Sequence, residues 1–351
     1  MTDQPDARAT LGDAALADKL KESRDRIVRE LRKQIVGQDD VVELVLTTLL
    51  VGGNSIVTGV PGLAKTLLIQ SVAQVLDLRF SRIQFTPDLM PSDITGTDLI
   101  QEDPDSGQRK MVFAPGPIFA NVVLADEINR TPPKTQSALL EAMQEHRVTV
   151  SGKTYVLEEP FFVFATQYPI ELEGTYPLPE AQLDRFMFNI VIDYLPEEEE
   201  IDVVRKTTAI QDVSFTPALT PVLGGAALAG LFALVDAVYL PEAVASYVAR
   251  LVAASHPDAP SCPEHARRLI RYGGSPRAAI AMAEAGRAAA LLAGRPNVDF
   301  ADIERVARPA LAHRLVLDHA ARLEGLTARD VVALLLEAVD PVGDALPAGR
   351  A

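Results

Sequence analysis

Short apolar runs alternate with helical segments through the first two thirds of the chain. Runs of this length, separated by helix-forming sequence, are typical of βα units, which build a mostly parallel sheet. The ligand sites of such sheets lie at the carboxyl ends of the strands. The pattern therefore predicts a mixed α/β domain, with strands at 55–58, 80–85, 122–126, 161–166 and 186–192.

Both ends of the chain depart from this alternation. Residues 1–12 are polar without periodicity and are predicted to be disordered, after which apolar residues recur at helical spacing from Leu16 to Leu31. Beyond Thr216 the sequence is rich in alanine and leucine, with helices predicted at about 299–317 and 327–339. We therefore predict a core over residues 13–215, a smaller all-α domain over 216–340 and a tail over 341–351.

Two insertions interrupt the alternation and are predicted to form β-hairpins that project from the sheet. The first, 98–112, centres on the turn sequence DPDSG at 103–107. The second, 147–157, alternates valines with polar residues around Ser151-Gly152. The sequence leaves open whether each hairpin is a solvated surface ribbon or contacts a partner or substrate.

Composition narrows the classes of function. A chain of 351 residues can bury a substantial core, and its net charge of −15 argues against a nucleic-acid partner held by bulk electrostatics. The single cysteine, Cys262, allows no intramolecular disulfide. We expect a cytoplasmic protein, because the sequence shows neither a signal peptide nor a membrane-spanning stretch.

A short β-branched strand at 55–58 runs into a glycine-rich turn that ends in Lys65-Thr66. Gly59 and Gly62 would let the backbone wrap around phosphate oxygens, and the following helix would point its free N–H groups at them. Lys65 could then reach the β- and γ-phosphates, and Thr66 could offer its hydroxyl to Mg²⁺. The motif departs from the strict pattern at Ala64, where glycine is usual but another small residue still fits.

A second apolar run, 122–126, ends in two acids, Asp126 and Glu127. In P-loop enzymes the first acid at such a strand end holds Mg²⁺, and a following glutamate can polarise the attacking water. The phosphate-binding turn, this acidic pair and Thr166 all fall at carboxyl ends of predicted strands. Together they predict a nucleotide site.

Arg277 lies in the first turn of a predicted helix, behind Ser275 as the N-cap and Pro276 at the first position. Cations are normally disfavoured at a helix N-terminus, so an arginine there suggests an anion shared between its guanidinium and the free N–H groups. An exposed arginine without a ligand is the alternative.

Six blocks of the sequence resemble the MoxR type of AAA+ ATPases, in the helix-2-insert clade. They are GVPGLAKT at 59–66, FTPDLMPSDITG at 85–96, GPIFANVVLADEINR at 116–130, TQSALLEAMQE at 135–145, GTYPLPEAQLDRF at 174–186 and GSPRA at 274–278. The resemblance extends over residues 30–340. It implies a P-loop AAA+ core with a five-stranded parallel sheet, a helical lid, and a ring, commonly a hexamer, that binds ATP and Mg²⁺ at subunit interfaces.

The resemblance also implies roles for single residues. Lys65 and Thr66 belong to Walker A, Asp126 and Glu127 to Walker B, with Thr66 and Asp126 at the metal. Arg185 resembles the arginine finger, and Arg277 resembles the sensor 2 arginine. The residue pattern alone predicts only a surface charge at Arg185. The implied nucleotide-binding residues are Val36, Gly37, Gly59, Val60, Pro61, Gly62, Leu63, Ala64, Lys65, Thr66 and Leu67.

One position departs from the family pattern. The family has Ala-Thr-Gln-Asn-Pro where this chain has ATQYP at 165–169, so that Tyr168 stands at the sensor 1 asparagine. A tyrosine there is expected to slow hydrolysis, unless Thr166 or Gln167 takes over the polar role.

The family is described as chaperone-like and as remodelling or activating partner complexes, often with proteins that carry a von Willebrand factor A domain. We therefore expect an ATP-driven remodelling machine that acts on a protein partner. Two alternatives stay open at this stage: a nucleic-acid motor, which the acidic balance disfavours, and a scaffold that binds ATP but hydrolyses it very slowly. A signalling GTPase is disfavoured because no Asn-Lys-x-Asp segment occurs.

Overall fold

The computed structural model describes residues 21–102, 109–167, 174–208 and 217–343. Its strands are β1 (Ser55–Thr58), β2 (Phe80–Gln84), β3 (Gly96–Glu102), β4 (Arg109–Pro115), β5 (Val122–Asp126), β6 (Arg147–Val150), β7 (Lys153–Val156), β8 (Phe162–Gln167), β9 (Phe188–Val191), β10 (Ile270–Tyr272) and β11 (Val316–Leu317).

The helices begin with α1 over described residues 21–31. The others are α2 (Asp39–Leu50), α3 (Lys65–Val75), α4 (Pro91–Thr95), α5 (Pro133–Glu145), α6 (Glu180–Leu183), α7 (Glu197–Thr208), α8 (Gly225–Ala237), α9 (Glu242–Ala254), α10 (Glu264–Arg267), α11 (Pro276–Leu292), α12 (Phe300–Leu311), α13 (His319–Leu323) and α14 (Ala328–Ala338). Ile128–Arg130 and Ala312–Arg314 form 3-10 turns.

Five parallel strands form the central sheet in the order β2-β5-β8-β1-β9. The mixed α/β fold with a five-stranded parallel sheet is therefore confirmed. Alternate residues of β5 and β8 pack on opposite faces, with Leu124 and Phe164 in one apolar core and Val123 and Val163 in the other. Side chains alternate across a strand, so a sheet buried on both faces needs such unbroken apolar runs.

The register puts the carboxyl ends of the strands at one edge of the sheet. Thr58 is paired with Gln167, and Gln84 with Asp126. The amino ends lie at the opposite edge, where the Met187 amide donates to the Asn54 carbonyl at 2.7 Å. With four residues in β1, at about 3.3 Å per residue, the two edges are about 13 Å apart.

Both insertions form antiparallel hairpins, β3–β4 and β6–β7. The first is longer than the sequence predicts, because pairing extends from Gly96↔Pro115 to Glu102↔Arg109. Its predicted turn at 103–107 lies outside the described residues. The two hairpins touch through aromatic rings, since Phe113 of β4 stacks on Tyr155 of β7 at 4.0 Å between centroids. Phe119, in the loop after β4, meets Phe113 edge-on at 5.6 Å.

The carboxyl-terminal part packs as a helical lid, and its apolar side chains are continuous with one of the two cores of the sheet. Two features interrupt the predicted run of helices. The helix expected to reach about residue 317 ends at Leu311, and the chain continues through the 3-10 turn Ala312–Arg314 into β11. β11 pairs with β10 to form a small antiparallel sheet. Pro309 inside α12 accounts for the early end, since it removes one helical hydrogen bond and crowds the preceding turn.

Several predictions concern the ends and boundaries. The predicted disordered segment 1–12 and the core–lid boundary near residue 215 lie outside the described residues, as does all but the start of the tail from 341 onward. Cys262 is free and buried. In the part of the chain that the structure describes, no helix combines the length and apolarity needed to cross a membrane.

Candidate nucleotide site

The turn between β1 and α3 has the backbone of a phosphate cradle. A side chain at Gly59 would place its Cβ 2.7 Å from the Ile192 carbonyl oxygen, so only glycine fits against the end of β9. Gly62 has φ of 89° and Ala64 has φ of 54°, both left-handed. The Ala64 conformation, unfavourable for a residue with a Cβ, turns the chain into α3 so that Lys65 is the first helical residue.

Lys65 lies over this turn. Its Nζ donates to the Gly59 carbonyl, and to the Val60 carbonyl at 3.2 Å. Burial lowers the pKa of Lys65, and the charges of Asp126 and Glu127 oppose that shift. The ammonium therefore lies within electrostatic reach of both acids and of the turn. The other residues assigned to this cradle occupy the loop and the first turn of α3: Val60, Pro61, Leu63, Thr66 and Leu67.

Asp126 and Glu127 end β5 at the same sheet edge, and Thr166 of β8 joins them. The Thr166 hydroxyl donates to Asp126 Oδ1 at 2.6 Å and accepts from the Glu127 amide at 2.8 Å. Glu127 has φ of 57°, a left-handed conformation that redirects its side chain after the strand. One threonine thus orients the Asp126 carboxylate and fixes the backbone of Glu127, as expected where groups must hold fixed positions around a reacting phosphate.

Two arginines of the same chain pair with these acids. Arg82 of β2 donates to Asp126 Oδ2 from Nε at 3.0 Å and also from Nη2. Arg130 donates to Glu127 Oε2 at 2.9 Å, and Gln84 donates to the same oxygen at 3.3 Å. The predicted metal ligand Asp126 and the predicted catalytic Glu127 are therefore both engaged by positive or polar groups of their own subunit.

The donor set suits Mg²⁺. Magnesium in nucleotide sites is bound through one or two protein oxygens together with substrate phosphates and water. A buried carboxylate, Asp126, and the Thr66 hydroxyl at the start of α3 are hard oxygen ligands of this kind. Among the described residues, no cluster of three or more His, Cys, Asp or Glu side chains could hold a metal ion.

A cavity of about 440 Å³ lies beside the cradle, along β9. Gly37, predicted to contact adenine, lines it; Val36 is half-buried but is not part of the lining. Gly37 has φ of 63°, and a Cβ there would overlap the Glu199 carboxylate. Lid residues Arg308 and Arg329 close the other side, and Arg329 pairs with Asp193 at 3.2 Å.

Arg185 and Arg277 lie at the amino edge of the sheet, away from the cradle of their own chain. Together they line a cavity of about 220 Å³ with Asn54 and Met187, which mark the amino ends of β1 and β9. Arg185 is exposed and contacts Gln144. The sequence correctly predicts Arg277 in the first turn of a helix capped by Ser275, whose hydroxyl accepts from the Arg277 amide at 3.2 Å.

The anion beside Arg277 is the carboxylate of Asp184. Arg277 Nη1 lies 3.4 Å from Asp184 Oδ2, and the Ser275 hydroxyl donates to Asp184 Oδ1 at 2.7 Å. Burial would raise the pKa of Asp184, but hydrogen bonds from Ser275 and Arg314 and the charges of Arg314 and Arg277 hold it below its usual value. Asp184 therefore stays ionised beside Arg185 and Arg277.

Sequence reasoning missed several residues of this arrangement. Arg82, Gln84, Arg130, Asp184 and Arg314 contact site residues through pairings that span from 3 to 130 positions along the chain. For Arg82 and Gln84 a signal exists, since they stand at alternate positions of the strand that neighbours β5. Tyr168, the predicted sensor 1 position, lies outside the described residues.

This fold and site define a P-loop ATPase. A family model described as the ATPase family associated with various cellular activities (AAA) matches residues 54–188, and an AAA lid domain model matches residues 263–334. A crystal structure of an ATPase from Cytophaga hutchinsonii superposes with a TM-score of 0.84 at 37% identity, covering 95% of this chain and 98% of that one.

Relatives found by sequence support the same class of protein. Chaperone MoxR1 of Mycobacterium tuberculosis is 40% identical over 90% of this chain and 81% of its own length. YeaC of Bacillus subtilis is 41% identical over 90% of this chain and 93% of its own length, and Protein MoxR of Methylorubrum extorquens is 30% identical over 88% and 91%. The chain belongs to the MoxR family of AAA+ ATPases, which confirms the predicted family and ATPase class.

Proposed function

We propose that this chain is a chaperone-like remodeller that hydrolyses Mg²⁺-ATP at the interfaces of a ring of identical subunits. The observation that carries the proposal is the position of Arg185 and Arg277. Both line a cavity at the amino edge of the sheet, whereas Lys65, Asp126 and Glu127 lie at the carboxyl edge. A chain that carries the two halves of a catalytic site on opposite edges needs a neighbour to complete either one.

The surface around Arg277 supports a contact with a second copy. Ile280, one turn further along α11, lines the same cavity and is 54% exposed, and Tyr272 just before the helix is 60% exposed. Exposed apolar residues around a charged centre are typical of protein interfaces. A head-to-tail contact of this kind closes into a ring, and by resemblance to the family we assign a hexamer.

In the proposed site, the cradle from Gly59 to Leu67, which includes Lys65, holds the phosphates, and Gly37 borders the base. Bound Mg²⁺, held by Thr66 and Asp126, would neutralise charge on the β- and γ-phosphates. Glu127 orients and activates water, with its backbone amide fixed by Thr166. Arg185 and Arg277 of the neighbouring subunit stabilise the charge that develops on the γ-phosphate.

We assign partner contact to the two hairpins. Leu99, Ile100, Met111 and Val112 of β3–β4 are all exposed, so the ribbon presents apolar side chains on both faces. The Phe113–Tyr155 stack couples it to β6–β7, which follows α5 directly. By resemblance, the partner is a protein and includes the class with a von Willebrand factor A domain; we expect no nucleic-acid partner and a cytoplasmic location.

Subunit mixing tests the interface site. Arg185→Ala lacks a finger but keeps its own cradle and acids, and Glu127→Gln has the reverse defect. Each alone should lose ATPase activity by about 10³-fold or more, and a mixture should recover a measurable fraction of wild-type activity. If the mixture stays as inactive as its parts while light scattering shows assembled rings, the trans assignment is wrong.

Partner capture tests the remodelling function. Tagged Glu127→Gln should hold ATP without turning it over and retain a partner when ATP is present. Lys65→Ala, which loses the phosphate contact, serves as the matched control with the same fold. A partner retained equally by both variants, or only without ATP, would contradict ATP-driven remodelling.

A second candidate function is an ATP-dependent scaffold with slow hydrolysis, and the Arg130–Glu127 pair favours it. Arg130 donates to Glu127 Oε2 at 2.9 Å and so occupies an oxygen that would otherwise accept a hydrogen bond from the attacking water. Arg130→Met should then raise basal turnover several-fold with unchanged ATP affinity. Arg205→Met, which removes an exposed arginine of α7 paired with Asp202 at 3.7 Å, is the control. Slower turnover in Arg130→Met would show that the arginine assists hydrolysis and would remove this support for the scaffold.

A further inference from the structure

One buried arginine of the lid holds the segment of the core that carries Arg185. The Arg314 side chain is 3% exposed and comes from the 3-10 turn Ala312–Arg314. Its Nε donates to Asp184 Oδ1 at 2.9 Å, and its Nη2 donates to the Asp184 carbonyl at 3.0 Å. The same guanidinium also donates to the Phe186 carbonyl at 2.7 Å and to the Met187 carbonyl at 3.1 Å.

These bonds enclose Arg185. The carbonyls of Asp184 and Phe186 lie on either side of it in the chain, so one planar guanidinium fixes the backbone before and after it. His313, next to Arg314, adds a hydrogen bond from its ring Nε2 to the Phe186 carbonyl at 3.1 Å. The Arg185 side chain itself remains exposed. The backbone is therefore held by the lid, while the exposed guanidinium is held, among the described residues, only by the Gln144 side chain at the surface.

Packing alone does not call for an arginine at this position. Burial lowers the pKa of Arg314, which means that its charge is costly there, and Asp184 offsets only part of that cost. An apolar side chain of similar volume often stabilises a core at least as well as a buried ion pair. What it cannot supply is a rigid fork of donors that satisfies several carbonyls in one plane.

The lid reaches Asp184 from a second element as well. Ser275 and Arg277, at the start of α11, bond to the carboxylate that Arg314 holds from the 3-10 turn. Two lid elements thus converge on the residue immediately before Arg185. Any movement of the lid relative to the sheet would move this segment.

We propose that Arg314 is a positioning residue that fixes the finger Arg185 to the lid of its own subunit. The lid then sets how far the finger extends into the neighbouring ATP site, and a lid movement in one subunit changes turnover in the next. This inference rests on the proposed trans-acting role of Arg185.

The proposal predicts a defect of a specific kind. Arg314→Lys keeps the charge but loses the fork, so that the lysine can satisfy fewer of the carbonyls around Arg185. We expect turnover to fall 10- to 100-fold, while ATP affinity at the chain's own cradle stays within two-fold of wild type. Arg295→Lys is the matched control, because Arg295 is a lid arginine whose ion pair with Asp302 stays inside the lid.

Subunit mixing distinguishes this defect from others. If Arg314→Lys only misplaces the finger, mixing with Glu127→Gln should restore activity, because that chain supplies a sound finger to an intact cradle. Mixing with Arg185→Ala should restore nothing, because neither chain then supplies one. Rescue by Arg185→Ala but not by Glu127→Gln would place the defect in the chain's own ATP site and overturn the proposal, and so would wild-type turnover by Arg314→Lys alone.

Two further measurements keep the test decisive. The first is the ATPase activity of the Arg185→Ala plus Glu127→Gln mixture, measured under the same conditions as the Arg314→Lys mixtures. If that mixture recovers no activity, the trans site itself is wrong. If it recovers activity, only the role of Arg314 is in question. If circular dichroism shows that Arg314→Lys does not fold, His313→Ala takes its place, since it removes one bond to the Phe186 carbonyl. It should show the same rescue pattern with a smaller loss, and rescue by neither partner would overturn the proposal.

Discussion

Arg82 and Asp126 form an ion pair between neighbouring strands, with two hydrogen bonds from the guanidinium to one carboxylate oxygen. Asp126 is also the residue proposed to hold Mg²⁺. The other oxygen, Oδ1, accepts from Thr166, so a metal ion that binds Asp126 through Oδ2 requires Arg82 to release that oxygen. The Arg82 side chain is 48% exposed, which makes this release inexpensive.

We therefore expect Arg82→Met to increase the apparent affinity for Mg²⁺. The pair is half-exposed only on the Arg82 side. If it contributes about 1 kcal/mol, the Mg²⁺ concentration for half-maximal hydrolysis should fall about two- to five-fold. Titration of ATPase activity with Mg²⁺ at saturating ATP measures this concentration. Arg79→Met is the control, because Arg79 pairs with Glu158 at the other end of β2. A higher Mg²⁺ requirement in Arg82→Met would mean that Arg82 assists the metal or phosphate instead of competing with the metal.

Lys65 and Glu127 should separate binding from chemistry. Lys65 lies over the phosphate turn, so Lys65→Ala should lose nucleotide affinity. Glu127 contributes to water activation, so Glu127→Gln should keep affinity and lose turnover by orders of magnitude. Calorimetry and steady-state hydrolysis measure the two effects. Equal nucleotide affinity for wild type and Lys65→Ala would contradict the assignment of the cradle.

Tyr168 remains the clearest departure from the family pattern. Losing one hydrogen bond to a charged group costs about 1.5–3 kcal/mol, or about 10- to 100-fold in rate when it is felt only in the transition state. If tyrosine cannot replace the asparagine, Tyr168→Asn should hydrolyse ATP several-fold faster at unchanged affinity. Thr166, which bonds the Asp126 carboxylate and the Glu127 backbone amide, is well placed to carry the polar role instead. If Tyr168→Asn hydrolyses ATP at the same rate as the wild type or more slowly, that result would support this role for Thr166.

The sequence predicts best what is encoded locally. The cradle depends on glycines, a lysine and a threonine within eight residues, and β5 depends on one apolar run that ends in acids; both lie where predicted. Both hairpins also lie where predicted, since turn sequences and alternation are local signals. The first hairpin is longer than predicted because its pairing continues through residues that are not alternating.

What the sequence could not predict depends on contacts between distant residues. Arg314 falls in a stretch that the apolar pattern predicts as helix. Its role follows from hydrogen bonds to carbonyls about 130 positions earlier in the chain. Arg82 and Gln84 flank the apolar Ile83, a pattern typical of the outward face of a strand. The alternation of Arg82 and Gln84 indicates one face of β2 but not the partner of either side chain, and Arg314 carries no local signal. A side chain's partner across a fold is set by the topology and not by its sequence neighbours.

His313 provides a test of the lid contact through pH. Burial, and then the charge of Arg314, lower the pKa of His313 to about 3 from a usual value of 6.5. Between these values the unfolded chain binds a proton that the folded chain does not, so the folded state loses stability as pH falls below about 6.5. The contribution is constant above that pH, where the ring is neutral in both states.

His313→Gln removes this titration while its amide can still donate to the Phe186 carbonyl. The two proteins should therefore have similar free energies of unfolding at pH 8, and at pH 5.5 the wild type should have lost about 1.4 kcal/mol more than the variant. Guanidinium unfolding followed by circular dichroism, without nucleotide and at one protein concentration, measures both. The carboxylates titrate equally in the two proteins and cancel in the difference. Parallel pH profiles would mean that His313 is accessible to protons in the folded state, and that the lid holds the Asp184–Met187 segment less tightly than the hydrogen bonds of Arg314 and His313 indicate.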